Sequence, residues 1–397
     1  MIKDTKTEGW REALKDKVCS RTDFVSNVQY VHTPWTLGSE MLDKVTENVE
    51  LAGKRILTIN LEFVELLMYD YSVKGDNIVF ITDCQKKADI CKLPRYAGVK
   101  TLVIDFETLF NYPIGDNMKF DVICGNPPYQ TKSDASIGTT QPIWDKFILK
   151  SIELLKEGGH LCYVHPSGWR GLGKNTNEAR KALRRGQLQY LEIHNAEDGL
   201  KTFGATTRYD WYVWQNVTPS KPTTIQGEDG KRHEINLKDM PFIPNGMYEE
   251  IQSLIAKDGE EKLEVLYDCK YHTQRDYVSK TSSEKFKYPC VNYVDKQGIP
   301  TLRYSSTKSN GHFGIPKIIF ASGVIKSVGY LVDLEGIYGQ TEFAKGIVDT
   351  PNVLPLIAKA MNSPKFRSIM EMCVVVKTEL NKDILATFRK DFWKAFV

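Results

Sequence analysis

The chain contains no Cys-x-x-Cys pair. Its eight cysteines, Cys19, Cys84, Cys91, Cys124, Cys162, Cys269, Cys290 and Cys373, are scattered along 397 residues, a distribution that argues against a zinc finger or ribbon. The seven histidines show no metal-ligand spacing either. There is no apolar run long enough to cross a membrane. The opening stretch, MIKDTKTEGWREALKDKV, is polar and partly acidic and lacks an apolar h-region, so no signal peptide is expected. An excess of one charge is missing too. With 53 Lys and Arg against 50 Asp and Glu the net charge is +3, so binding to nucleic acid would require the positive groups to gather on one face. Internal repeats and low-complexity tracts are absent. These absences leave a soluble protein of a reducing, cytoplasmic compartment as the expectation. Cys84, Cys124 and Cys162 lie in apolar runs and read as buried thiols.

What is present is a rhythm. A polar, weakly amphipathic helical lead-in covers residues 1–28. TPWTLGSEMLDKVTEN follows, with Pro34 near a helix start and Leu37, Met41, Leu42 and Val45 at helical spacing. Apolar strand-like runs then alternate with helical ones: KRILTINL, NIVFITDC, VKTLVIDF, FDVICGNPPY, HLCYVHPSGW and LQYLEIHN are strand candidates. QPIWDKFILKSIELLKEGG predicts an amphipathic helix with a glycine stop. Such alternation predicts an α/β fold with an open, mostly parallel sheet, whose ligands lie beyond the carboxyl ends of the strands. Asp83, Asp105 and Asn126 each stand at or just past such an end. After residue 217 the texture changes to NVTPSKPTTIQGEDGKRHE, a turn-rich stretch that reads as a domain boundary. The expected domains are therefore 29–217 and 218–397, behind the lead-in.

The most informative stretch is Asn126-Pro127-Pro128-Tyr129. Two prolines fix φ, remove backbone donors and push the residues before them into extended geometry. The Pro127 carbonyl and the Asn126 amide oxygen then form a pair of acceptors, suited to a planar NH₂ donor such as the exocyclic amine of adenine. Tyr129 offers a ring to stack on a flat heterocycle. With an activated methyl sulfonium as the electrophile, proximity and orientation supply most of the acceleration. Taken alone, Pro-Pro also serves simply to end a strand. Its place after three β/α units favours chemistry.

These residues resemble the amino-group DNA methyltransferases that use S-adenosylmethionine, of the adenine-N6 type with the γ motif order. The NPPY tetrapeptide matches the family's catalytic motif and assigns Asn126, Pro127, Pro128 and Tyr129 to catalysis. HTPWTLGSEML is similar to the family's N-terminal cofactor segment, with Thr33 and Pro34 at the matching positions. Asp83 corresponds to the acid that binds the cofactor ribose, a task a carboxylate performs by accepting from both hydroxyls. Asp105 and Phe106 resemble the pair that holds the cofactor adenine, and Phe203 the aromatic residue that meets the flipped target base. The resemblance implies a class I methyltransferase-like sheet with helices on both faces, followed by a smaller α+β DNA-recognition domain. It implies double-stranded DNA as substrate and a cognate restriction endonuclease as a possible partner, with oligomeric state open. One departure stands out. The family's first strand ends in a glycine-rich turn, and here the chain reads RILTINLEFVELL. Thr58 or Asn60 stands near the acidic position, Glu62 supplies a carboxylate nearby, and Asn60 and Glu62 are assigned to the cofactor on that basis.

Other signals are weaker. GWRGLGKN is one residue short of a phosphate loop, and Asn175 replaces the magnesium-binding hydroxyl. Arg180, Lys181, Arg184 and Arg185 read as a solvated helix face or as phosphate contacts. Lys308 and Lys317, within SSTKSNGHFGIPKIIFASG, suit DNA or any exposed loop. Two further readings stay open: a methyltransferase acting on RNA or on a protein glutamine amide, and a non-catalytic DNA-binding protein that has lost its cofactor.

Overall fold

The computed structural model describes residues 5–18, 31–115, 118–131, 141–173, 177–268, 270–321, 323, 325, 328–375 and 381–397. Residues 1–4 and 19–28 of the lead-in, and Asn175 of the glycine-rich stretch, lie outside these. The chain divides into two compact units, Met1–Trp169 with Gly173–Asn236, and Arg170–Leu172 with Leu237–Val397.

In the first unit, helix α1 (Thr5–Val18) and helix α2 (Trp35–Thr46) precede the sheet. Strands β1 (Ile56–Thr58), β2 (Ile78–Thr82), β3 (Lys100–Val103) and β4 (Phe120–Gly125) alternate with helices α3 (Leu61–Tyr69), α4 (Gln85–Cys91) and α5 (Phe106–Asn111). Then come α6 (Trp144–Leu154), β5 (Leu155–Pro166), α7 (Asn177–Arg185), β6 (Gln187–His194), α8 (Ala196–Phe203) and β7 (Tyr209–Gln215), followed by β8 (Thr223–Gln226) and β9 (Arg232–Ile235). The nine strands form one sheet in the order β3-β2-β1-β4-β5-β7-β6-β8-β9. β1 to β5 are parallel, and β7 runs antiparallel to both β5 and β6. This is the class I methyltransferase-like sheet, carried further at one edge by β8 and β9.

The apolar runs become strands because both their faces are covered. β1 and β7 are buried almost throughout, as sheets sandwiched between helix layers require. α2 packs on α3, while α6 packs on α5 and α7. Leu37, Met41, Leu42 and Val45 are all buried, as their spacing predicts. Two boundaries differ from expectation. α6 stops at Leu154 rather than at the glycines, because Leu155 already pairs with Phe120 of β4. The first unit extends to Asn236, past residue 217, because β8 pairs with β6 and β9 closes a hairpin on it.

The second unit holds α9 (Tyr248–Leu254), strands β10 (Glu264–Tyr267), β11 (Val278–Ser279), β12 (Tyr288–Val294), β13 (Pro300–Ser305), β14 (Lys317–Ala321), β15 (Leu331–Asp333), β16 (Gly339–Gln340) and β17 (Ala344–Val348), and helices α10 (Leu354–Asn362), α11 (Pro364–Met372) and α12 (Lys382–Leu385). Its strands make two four-stranded sheets, β10-β17-β14-β15 and β11-β13-β12-β16. Among the described residues no helix is long and apolar enough to cross a membrane, and no cluster of His, Cys, Asp or Glu has the arrangement of a metal site.

Candidate active site

The strand order places the carboxyl ends of β3, β2, β1 and β4 side by side. Asp105, Asp83, Asn60 and Asn126 follow those four ends in that row. Thr58, the last residue of β1, is level with Cys124. Its hydroxyl accepts from the Asn60 N–H at 3.3 Å and donates to the Asn60 carbonyl at 3.4 Å, which shapes a tight turn without glycine.

Asn60 precedes α3 at the capping position, yet its side chain does not cap the helix. It reaches across to β4 instead. Its Oδ1 accepts from the Asn126 backbone N–H at 2.6 Å, and its Nδ2 donates to the Asn126 carbonyl at 3.1 Å. A side-chain amide thus continues the β1–β4 ladder one step beyond the end of β1. This needs room at Gly125, whose φ is +157° and where a Cβ would fall 2.6 Å from Asn60 Oδ1. Both polar atoms of the Asn60 side chain therefore engage the NPPY segment.

The Asn126 side chain is fixed as well. Its Nδ2 donates to the Val31 carbonyl at 3.2 Å. Its Oδ1 is buried and has no hydrogen-bond partner. No hydrogen bond reaches the Pro127 carbonyl among the described residues. The Tyr129 carbonyl accepts from the Ile143 N–H at 3.1 Å, and a short bridge joins Gln130 to Pro142, which ties the segment to the start of α6. Pro127 and Pro128 are buried. The Tyr129 ring lies edge-on to Phe203 at 6.3 Å, and Phe203 edge-on to Tyr209 at 4.9 Å. Burial raises the Tyr129 phenol well above its ordinary range, so it stays protonated. The structure thus brings the Phe203 ring to the NPPY segment.

The N-terminal segment joins the same site. The Thr33 N–H donates to Glu62 Oε1 at 3.3 Å, and His32 Nδ1 lies 2.8 Å from that oxygen. Burial pushes the Glu62 carboxyl up, but the His32 contact and the nearby Lys87 outweigh it and hold the pKa at about 2. Glu62 is therefore a buried, ionised group, and its Oε2 has no hydrogen-bond partner. The Thr33 hydroxyl is likewise buried and unpartnered. Pro34 caps α2.

The other predicted positions differ among themselves. Asp83 is fully buried and engaged within the protein. Asp105 is exposed and caps α5 by accepting from the Thr108 N–H at 2.9 Å, which lowers its pKa. Phe106 is buried and packs edge-on against Phe147 at 4.8 Å. On α7, Ala179, Ala182 and Leu183 face the core. Arg180 and Arg184 are half-buried, with burial lowering Arg184 to about 10, and Arg185 is exposed.

In the second unit Lys308 is exposed. Lys317 is not a DNA contact. It is fully buried, and its ammonium donates to the carbonyls of His312, Ile315 and Tyr338 at 2.8–3.0 Å and lies 3.4 Å from Asp333 Oδ2. With its donors held inside the fold, it ties β14 to β15 and to the segment before β16. Sequence reasoning missed the Val31 carbonyl and the bridging role of Asn60. Gly125, directly before the motif, was the one visible sign that something approaches the backbone there.

Comparison with known proteins adds a sequence match at this site. Residues 58–198 match the family described as Eco57I restriction-modification methylase. A Mycoplasma pneumoniae protein called an uncharacterized adenine-specific methylase is 30% identical over 139 residues, which are 33% of this chain and 32% of that one. Among solved structures, the type I restriction-modification system methyltransferase subunit from Streptococcus thermophilus shares 16% identity, with 58% of this chain and 54% of that chain covered and a TM-score of 0.40. TrmN from Thermus thermophilus shares 11% identity, covers 46% and 49%, and has a TM-score of 0.30. The chain thus spans about a third of the curated relative and about half of each of these solved chains. The resemblance to adenine-specific DNA methyltransferases is carried by residues 58–198, the span from the end of β1 into α8.

Proposed function

We propose that the protein transfers a methyl group from S-adenosylmethionine to the exocyclic N6 of an adenine flipped out of double-stranded DNA. The observation that carries this reading is the Asn126 amide oxygen, buried and unpartnered on a residue otherwise held at its backbone and at Nδ2. A buried acceptor left in that state costs about 1–3 kcal/mol, a cost that a substrate N–H removes. The Pro127 carbonyl provides a second acceptor next to it. One planar NH₂ donating to both has its nitrogen placed and its lone pair turned towards the electrophile. Tyr129 and Phe203 are suited to wall the base ring.

The cofactor supplies a methyl group on a sulfonium, electrophilic enough that no strong base is required. On the protein side, Thr33, Pro34 and Glu62 would hold it, together with Asp83, Asp105 and Phe106. The residues fit the group, since the Thr33 hydroxyl and Glu62 Oε2 are buried and lack partners, and the ionised Glu62 suits an amino group. The second unit would select the target sequence, with Lys308 as a phosphate contact, and Arg180, Arg184 and Arg185 on α7 of the first unit would contact phosphates as well. The restriction-modification match supports a cognate nuclease as functional partner and a cytoplasmic setting.

The test is sequencing of DNA from cells that express the protein, by a method sensitive to methylated adenine. N6-methyladenine at one recurring site, lost with Asn126→Ala, is the expected result. Labelled methyl appearing only in RNA or in a protein glutamine would move the substrate. A calorimetric titration with S-adenosylmethionine that gives no heat, with and without DNA, would replace the enzyme with a binding protein.

A further inference from the structure

We propose that one end of the β11-β13-β12 sheet is the surface on which the second unit grips the phosphate backbone of duplex DNA. The inference rests on the reading that the substrate lies in DNA, and names the part of the chain that would hold it. Between Lys270 and Phe313 eight lysines and arginines stand against three carboxylates, so the rest of the chain, given totals of 53 and 50, carries more acids than bases. The positive excess missing from the overall composition is therefore gathered in this stretch, as recognition of a polyanion requires.

Lys285, Lys287 and Lys308 are exposed, and none makes an ion pair among the described residues. Several other lysines are neutralised by a partner: Lys44, Lys92, Lys156 and Lys201 each reach a carboxylate at 2.7–2.9 Å. The three lysines of the sheet end lie over aromatic rings instead. Lys308 Nζ is 5.1 Å from the Tyr288 ring centre and 5.7 Å from that of Phe313. Lys287 Nζ is 5.5 Å from Tyr288, and Lys285 Nζ is 5.1 Å from Phe286. A ring steadies an ammonium without cancelling its charge. The group stays available to an incoming phosphate, and less side-chain freedom is lost when it binds.

The register places these groups together. Val278, Ser305 and Tyr288 form one row across the three strands, and Phe313 lies 6.2 Å from Tyr288. The adjoining turn carries Thr307, Ser309 and Asn310, short polar side chains of the kind that meet phosphates and base edges. Just beyond it His312 holds a φ of +57° after Gly311 at +80°. A non-glycine residue kept in that region marks a turn whose shape is imposed by its surroundings.

The experiment measures affinity of the full chain for a duplex oligonucleotide as a function of salt. The triple variant Lys285→Ala/Lys287→Ala/Lys308→Ala should weaken binding and flatten the slope of log K against log salt by about 2.7, at about 0.9 for each phosphate no longer neutralised. Lys296→Ala serves as the control, because it lies in the turn at the opposite end of the same hairpin. It should leave the slope unchanged. A triple variant with the parent slope would overturn the proposal. So would an equal loss of binding to polyglutamate, which would mark a general anion surface. The methylation reading has a separate readout. If the parent protein binds DNA through this face yet deposits no N6-methyladenine, the surface stands and the activity falls.

Discussion

Replacing Asn60 with alanine tests whether a side-chain amide positions the NPPY motif. The substitution removes two hydrogen bonds, of 2.6 and 3.1 Å, and leaves the Asn126 N–H and carbonyl without them beside buried neighbours. Each buried backbone group left unpaired costs about 1–3 kcal/mol, so about 2–4 kcal/mol is lost in all once partial relaxation is allowed. That loss has two places to appear. If the loop keeps its place, it appears as lower stability in urea unfolding. If the loop moves, it appears as a fall in kcat of about 30- to 1000-fold, with the cofactor dissociation constant changed little. The Asn60→Asp variant separates the two bonds. A carboxylate still accepts from the Asn126 N–H but faces the Asn126 carbonyl with a second oxygen, so it should recover only part of the loss. Single-turnover methyl transfer and urea unfolding on the three proteins decide the matter. An alanine variant within twofold of the parent rate and with unchanged stability would refute the positioning role.

Asn126→Ala should lower methyl transfer by about 10²–10³-fold, the usual loss for one aimed hydrogen-bonding group, with duplex affinity largely unchanged in a gel-shift titration. Glu62→Gln removes a carboxylate whose pKa is held at about 2, and should weaken cofactor binding about tenfold in calorimetry, worth about 1.4 kcal/mol. Gly125→Ala places a Cβ 2.6 Å from Asn60 Oδ1; it should reproduce the Asn60→Ala phenotype, and a double variant should lose less than the two singles combined. His165 is buried, donates from Nδ1 to the Pro166 carbonyl and meets the Tyr212 hydroxyl at Nε2, and burial lowers its pKa to about 4. The unfolded chain binds that proton from about pH 6.5 downward and the folded chain only near 4. Stability should therefore fall by about 3 kcal/mol as pH drops through that window, and His165→Gln should flatten the curve in acid denaturation.

The strands and most helices were legible because both faces of the sheet are covered. Continuous apolar runs such as those of β2 and β4 then declare themselves without alternation. NPPY was legible because its constraint is local: proline acts on its own backbone and on the residue before it. β8 was not, since TTIQ looks like part of a turn-rich stretch and becomes a strand only by pairing with β6 thirty-odd residues earlier. Lys317 misled for a similar reason. A lysine between a glycine-rich turn and an apolar run reads as surface, and nothing nearby in sequence announces the three carbonyls and the carboxylate that accept its charge.

The missing glycine turn shows how far a motif and its physical task can separate. Glycine after the first strand matters because it lets something come close to backbone. Here close approach still happens at the β1 end, but the approaching group is the Asn60 side chain and the glycine that admits it is Gly125, on the neighbouring strand. A side-chain amide carries the same donor and acceptor as a peptide, so it can extend a parallel ladder where the backbone of β1 has already turned into α3. The separation of 66 positions along the chain hides that exchange from any local reading. The same geometry gives it a consequence for chemistry. With Asn126 held through its backbone by Asn60 and through Nδ2 by Val31, its buried Oδ1 has no partner and is left to accept from a substrate.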